Sequence, residues 1–296
     1  MPAIAPSLGK PARVSRSQAW ARSKEVVYRH PTAVIGGVVL VLLILIALLA
    51  PYLGTVDPQA ISPVRRLRKP SETYWFGTDM LGRDVYSRVV FGGRISLAVG
   101  LSVAVLATTV GLAIGLVTGF VRWLDAVVMR VMDGLMSIPG VLLAIALMAL
   151  TKASLENVII AITVTEVPRV VRLIRGLVLS LREQAYVDAA IASGTRTPLI
   201  LLRHILPNTL APLLVQGTYI CASAMLTEAI LSFLGAGTPP NIPSWGNIMA
   251  EGRALFQLAN YLIFFPGIFL SLAVLSVNLL GDGMRDALDP RLARNM

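Results

Sequence analysis

A charged side chain inside an apolar run is expensive to keep, so it marks the first place to look for chemistry. Glu228 is the clearest such residue and Glu166 the second. Carriers driven by protons or sodium set several such groups, or broken helices, near the membrane midplane, and this sequence has few. Glu228 is therefore expected as a hydrogen-bonded group in a bundle interior or at the outer end of its helix, with a place on a translocation path as the alternative. Asp282 has no second aspartate inside another apolar run with which to form a protease dyad. With Asp286, Asp289, Arg285 and Arg291 it reads as a solvated, mutually paired tail. No Gly-x-Ser-x-Gly nucleophile turn occurs. The lone Cys221 and the two histidines, His30 and His204, make neither an intrachain disulfide nor a zinc or haem ligand set, so no metal site is expected. The one Gly-Lys pair, Gly9-Lys10, runs into Pro11 and is no phosphate loop. Any energy this chain uses must come from another subunit.

The surroundings of these residues explain why so few can react. Of 296 residues, 55% are hydrophobic and 14% charged, and mean hydropathy is +0.74. Soluble domains carry roughly 25% charged residues, so the aliphatic excess here must face lipid. Runs free of charge and histidine extend from Pro31 to Val56, Ile95 to Val121, Gly134 to Thr151, Ile205 to Thr227 and Ala254 to Gly281. Each can cross the hydrocarbon as a helix of about 17 to 25 residues. A further run, Leu155 to Leu177, is apolar in its first half and then carries Glu166, Pro168, Arg169, Arg172 and Arg175. The expected fold is an all-α membrane protein. It is a bundle of six transmembrane helices at about 31–53, 95–120, 134–151, 155–177, 207–235 and 257–280, forming one membrane domain over 31–296 behind a basic arm of residues 1–30.

The net charge of +10 and pI near 10.3 come without a basic stripe interleaved with aromatics, so nucleic acid is not an expected partner. Basic loops on the cytoplasmic side account for them. With both termini inside, the arm, Arg122, Arg130, the Arg169 to Arg203 group and the C-terminal arginines all fall in the cytoplasm. The Asp57 to Arg94 loop resists this scheme, since Arg65, Arg66, Arg68, Lys69, Arg83, Arg88 and Arg94 would lie outside. A long loop can be translocated despite its charge. The first apolar run is too long for a secretory signal core and reads as a retained helix.

Two patterns bear on movement. Ser96, Gly100, Ala104 and Thr108 recur every fourth residue, and Gly111, Gly115 and Gly119 continue a small face one step over. Small residues let helices approach closely in lipid, and this face either packs inside the chain or slides against a second subunit across a pore. The other pattern lies between Ser180 and Asn208. Tyr186 to Ser193 suits a helix, and Gly194 can end it in a left-handed conformation. Thr197 followed by Pro198 should open a second short helix, and Pro207 should end that helix at Leu206. The product is a bent lever.

Asp188-Ala189-Ala190, Gly194 six positions after the Asp, and Leu206-Pro207 resemble the EAA loop of ATP-binding cassette (ABC) importer permeases. Asp188 replaces the usual Glu. His204, where an aliphatic residue is general, fits the string Arg203-His204-Ile205-Leu206-Pro207-Asn208 of the peptide and nickel subgroup. Agreement extends from about His30 onward. It includes Phe76-Gly77-Thr78-Asp79, Leu81-Gly82-Arg83-Asp84, Leu231-Ser232-Phe233-Leu234-Gly235, Pro243-Ser244-Trp245-Gly246 and Asn278-Leu279-Leu280-Gly281-Asp282-Gly283. Glu166-Val167-Pro168 departs from the pattern.

The resemblance implies a C-type permease of a bacterial inner-membrane importer for dipeptides or oligopeptides. Nickel or another small solute is the alternative within the family, and an ion-coupled secondary transporter the alternative outside it. It implies a cytoplasmic EAA loop between spans four and five, in which Tyr186, Asp188, Ala189, Ala190, Gly194, Leu206 and Pro207 couple to an ATPase. The implied partners are a homologous second permease, two ATPase subunits that bind ATP and Mg in place of this chain, an extracytoplasmic binding protein and membrane lipid.

Overall fold

The computed structural model describes residues 31–288, so the basic arm and the Asp289 and Arg291 part of the expected paired tail lie outside the described residues. Apart from one isolated bridge between Thr78 and Asp84, all regular structure among the described residues is helical. In chain order the helices are α1 (Pro31–Leu48), α2 (Val85–Phe120), α3 (Arg122–Met136), α4 (Gly140–Ala149), α5 (Leu155–Leu181), α6 (Ala185–Ala192), α7 (Thr197–Ile200), α8 (Leu206–Phe233), α9 (Trp245–Gly252) and α10 (Tyr261–Leu288). Local sequence sets several starts: Asp84, Ser154 and Ser244 accept the backbone N–H of Ser87, Asn157 and Asn247 as side-chain N-caps of α2, α5 and α9.

Pro31–Leu48, Val85–Phe120, Thr197–Phe233 and Tyr261–Ala287 are long and apolar enough to cross a membrane. The pair α3 and α4, bent by 90°, makes a fifth if taken as one span. The protein is thus an all-helical membrane protein with four to five candidate spans. The bend revises the expected third span: Ser137, Ile138 and Pro139 break it, leaving α4 with 10 residues. That is about 15 Å of helix against roughly 30 Å of hydrocarbon. The helix that carries the second span begins at Val85, ten residues before the charge-free run, because Arg88 and Arg94, which end that run, have partners inside the protein. Arg94 donates to the carbonyls of Ala47 and Leu48 at the end of α1, where the helix dipole favours a cation.

The small face of α2 lies within the chain. A Cβ on Gly111, Gly115 or Gly119 would sit 2.5, 2.7 and 2.6 Å from the Cβ atoms of Val170, Ile174 and Val178 of α5. Rows spaced by four on both helices interlock, the geometry small residues permit. Gly100 faces α8 instead, where its Cβ would meet Met225 Cγ at 2.7 Å. Two apolar clusters follow. One joins α2, α5 and α8 through Val103, Ala107, Ile162, Ile174 and Ile220; the other joins α1, α2, α9 and α10 through Leu43, Val89, Trp245, Ile248, Leu262 and Ala273.

Charge on α5 is met by neighbours. Arg175 pairs with Asp125 and Arg172 with Asp133 at 2.7 Å, both on α3. Glu166, buried, accepts from Arg169 at 2.9 Å and from Ser223 of α8 at 3.0 Å. Pro168 sits inside the unbroken α5. Asp282 accepts a hydrogen bond from the Tyr219 hydroxyl, so it ties α10 to α8 rather than pairing only within its tail.

Candidate functional site

The lever is a helical elbow. Backbone bonds from Gly194 N–H to the Ile191 carbonyl (2.9 Å) and from Thr195 N–H to the Ala190 carbonyl (3.1 Å) close α6 with both bonds of a Schellman cap. Gly194 has φ +75°, in the left-handed region that glycine adopts without strain. A Cβ there would meet nothing within 4 Å, so conformation and not crowding asks for glycine. Val187, Ile200 and Ile205 are buried and pin the elbow to the bundle. The opposite face is open: Tyr186, Asp188, Ala189, Ala192 and Leu199 are exposed, and Ala190 is half-buried. The side chains of Tyr186 and His204 lie close, with ring centroids 6.3 Å apart. A hollow of about 440 Å³ lined by Phe120, Arg122, Arg182, Glu183, Asp188 and Ile191 adjoins the elbow.

The second arm overturns one expectation. Pro207 does not end the helix. Arg196, not Thr197, precedes its first residue, and no side chain caps it. After α7 the chain widens into a π turn over Leu201–Ile205, in which Leu206 N–H reaches the Leu201 carbonyl, and then runs on as α8 with Pro207 in its first turn. A proline is tolerated where the wider turn has already displaced the i−4 carbonyl its ring would strike. Leu206 is half-buried and Pro207 exposed. Thr197 to Phe233 is consequently one 37-residue rod, roughly 55 Å long at 1.5 Å per residue.

The far end of the rod carries the charged group of greatest interest. Glu228 is fully buried. Its Oε1 accepts from the hydroxyls of Ser232 (2.9 Å), Ser244 (2.9 Å) and, more weakly, Thr238 (3.4 Å), while Oε2 has no partner among the described residues. Asn247 binds Thr238 and the carbonyls of Pro239 and Ile242. This bracket fastens the 238–247 segment to α8 and leaves Glu228 with no exposed surface in this chain. Beside it stands a cluster that charge counting did not reveal. Asp79 holds Arg83 (2.6 Å) and Arg88 (2.6 Å), and both arginines reach Glu251 of α9 at 2.7 and 2.6 Å. Asp79 and Arg88 are each 1% exposed. The i,i+4 spacing of Asp79 and Arg83 was the visible hint; Glu251, 163 residues beyond Arg88, gave none.

Among the described residues no group of three or more His, Cys, Asp or Glu could hold a metal ion. The arrangement is an exposed, alanine-rich face on a stiff rod with a polar clamp at the rod's other end.

Comparison with known proteins agrees with this geometry. The family described as binding-protein-dependent transport system inner membrane component matches residues 107–294, and the N-terminal TM domain of oligopeptide transport permease C matches 18–70. A probable peptide ABC transporter permease of Sinorhizobium fredii is 53% identical over 90% of this chain and 91% of its own. A dipeptide transport system permease of Alkalihalophilus pseudofirmus is 40% identical over 92% and 90%, and a glutathione transport system permease of Pectobacterium atrosepticum is 40% identical over 89% and 88%. A chain of the inward-facing MetNI methionine ABC transporter has the same fold, with TM-score 0.59 and 20% identity over 68% of this chain and 96% of that one. The chain belongs to the binding-protein-dependent transport system inner-membrane components, as an oligopeptide permease C-type subunit whose part is transport and not catalysis.

Proposed function

We propose that this chain is one of two permease halves of an ATP-driven importer that moves di- or oligopeptides into the cytoplasm. The relatives support the substrate class, since their names specify peptide, dipeptide and glutathione, itself a tripeptide. The second half is a homologous permease, two cytoplasmic ATPase subunits bind ATP and Mg, and an extracytoplasmic binding protein delivers the cargo. Both termini and the elbow lie in the cytoplasm, and the 49–84 loop and α9 lie outside. Six crossings result when α3 with α4 is the third and α5 the fourth. The pairing of Arg172 and Arg175 with Asp133 and Asp125 supports α5 as a crossing despite its charge.

The observation that carries this reading is the open alanine-rich face of α6, hinged at Gly194 and continuous with the rod. Tyr186, Asp188, Ala189 and Ala190 dock in a cleft of the ATPase, where small side chains allow close approach and Asp188 faces a cation. Leu206 and Pro207 carry the push past the π turn into α8. Closure of the ATPases on ATP and arrival of loaded binding protein bias two bundle arrangements in opposite senses.

Proteoliposomes holding the whole importer should take up labelled dipeptide when ATP is present on the ATPase side, without response to a protonophore, and should take up nickel poorly in a parallel assay. A cysteine at Ala189 should crosslink to an ATPase subunit. Uptake without the ATPases, or labelling of that cysteine from the extracytoplasmic side, would reject the reading.

A further inference from the structure

Four cations on the loop between α1 and α2 have no part in the packing described above. Arg65, Arg66, Arg68 and Lys69 are all exposed, and no ion pair among the described residues includes them. Of the four acids of the same loop, Asp79 and Asp84 are turned inward, while Asp57 and Glu72 are exposed. Asp79 is consumed by Arg83 and Arg88, Asp84 caps α2, and Asp57 holds its own loop through Gln59 N–H at 2.9 Å. Glu72 is the remaining exposed acid.

The backbone beneath these cations is built to display them. Leu67 has φ +51°, the one positive φ at a residue other than glycine among the described residues. That conformation is disfavoured by about 1–2 kcal/mol, and such strain persists where surrounding contacts impose it. Here Leu67 N–H donates to the Asp79 carbonyl (3.1 Å), Arg68 N–H to Thr78 Oγ1 (2.8 Å), and the Tyr261 hydroxyl to the Arg68 carbonyl (3.1 Å). The Leu67 side chain packs on the α1–α10 cluster while Arg66 and Arg68 on either side stay exposed. Next to Lys69 is a hollow of about 560 Å³ bounded also by Gln257, Leu258, Asn260 and Tyr261, in which Leu258 is 73% exposed. A recess with an apolar lip beside a charged rim has the anatomy of a protein interface.

Positive charge on a translocated loop runs against the positive-inside bias. Arg83, Arg88 and Arg94 answer that objection with carboxylate or carbonyl partners; Arg65 and Arg66 meet only the Tyr74 ring and the Met80 sulfur, and none of the four has an acidic partner among the described residues. We propose that Arg65, Arg66, Arg68 and Lys69 form a docking surface for an acidic face of the extracytoplasmic binding protein, an inference that rests on the importer reading and its sidedness. Rim charges of this kind speed encounter and make it sensitive to salt.

The test uses the complete importer in proteoliposomes and follows ATP hydrolysis as loaded cognate binding protein is titrated, at low and high NaCl, in purely zwitterionic and in anionic vesicles. The variant R65Q/R66Q/R68Q/K69Q should raise the half-saturating concentration of binding protein roughly tenfold at low salt, leave basal hydrolysis unchanged and lose most of that difference at high salt. Should the fourfold change disturb the loop, Lys69→Glu alone should move the same quantity about threefold in the same direction. An unchanged half-saturation in both variants overturns the proposal. A shift confined to anionic vesicles overturns it in favour of a lipid surface. If binding protein fails to stimulate the unaltered importer, the importer reading itself fails, and the docking surface with it.

Discussion

The two ends of the α8 rod are built on opposite principles. At the elbow, the proposed docking side chains are mostly exposed and unpaired, and a single left-handed glycine closes α6. At the far end, Glu228, Asp79, Arg83 and Arg88 are buried and, with the partly exposed Glu251, locked by short bonds. On the importer reading proposed above, one end is there to be gripped by another protein and the other to hold its own loops still. A stiff rod with one open end and one clamped end would then turn an external push into a bundle movement without dissolving the loops it carries.

The contrast predicts an order of effects on stability, read by thermal unfolding in detergent. Arg88→Ala should do most, a loss of about 3 kcal/mol or more, because it leaves Asp79 and Glu251 sharing Arg83 as their one cation, with a buried negative charge uncompensated; a melting point unchanged from the parent would show the clamp to be ornamental. Gly115→Val comes next, since its first side-chain carbon already collides with Ile174. Overpacking of this kind costs about 1–3 kcal/mol, and an engineered disulfide between α2 and α5 should form more slowly in that variant. Glu228→Leu removes the acceptor shared by Ser232, Ser244 and Thr238 and should cost about 1–3 kcal/mol, whereas Glu228→Gln keeps an acceptor and should lose much less. If the two variants melt alike, hydrogen bonding is not what Glu228 supplies. Gly194→Val should have the smallest effect on stability, about 1–2 kcal/mol of backbone strain with no clash. Yet it should abolish ATP-driven uptake while hydrolysis continues. Normal uptake by that variant would dissolve the distinction between the two ends.

The elbow was legible in the sequence because its signals are local: Gly194 after an alanine-rich stretch, and Thr197-Pro198 a few residues on. The four long apolar helices were legible for a similar reason, as continuous charge-free runs. The misreadings came where the deciding contact is distant or unusual. The first ten residues of α2 were hidden because Arg88 and Arg94 look like loop residues until Glu251 and the α1 carbonyls are in view. Pro207 looked like a stop because an ordinary helix has no room for its ring, and nothing nearby announces the wide turn that makes room. The α3–α4 bend lay in a run without charge, and hydropathy does not register a corner.

The late position of Glu251 has a further consequence for how the molecule is made. During synthesis Arg88 emerges 163 residues before its carboxylate partner on α9, with only Asp79 at hand to neutralise it. The nascent bundle therefore waits with its rim unsealed, and final closure falls to the last hairpin to emerge. Chains truncated before residue 245 should insert and yet be cleared by quality-control proteases far faster than the full-length protein.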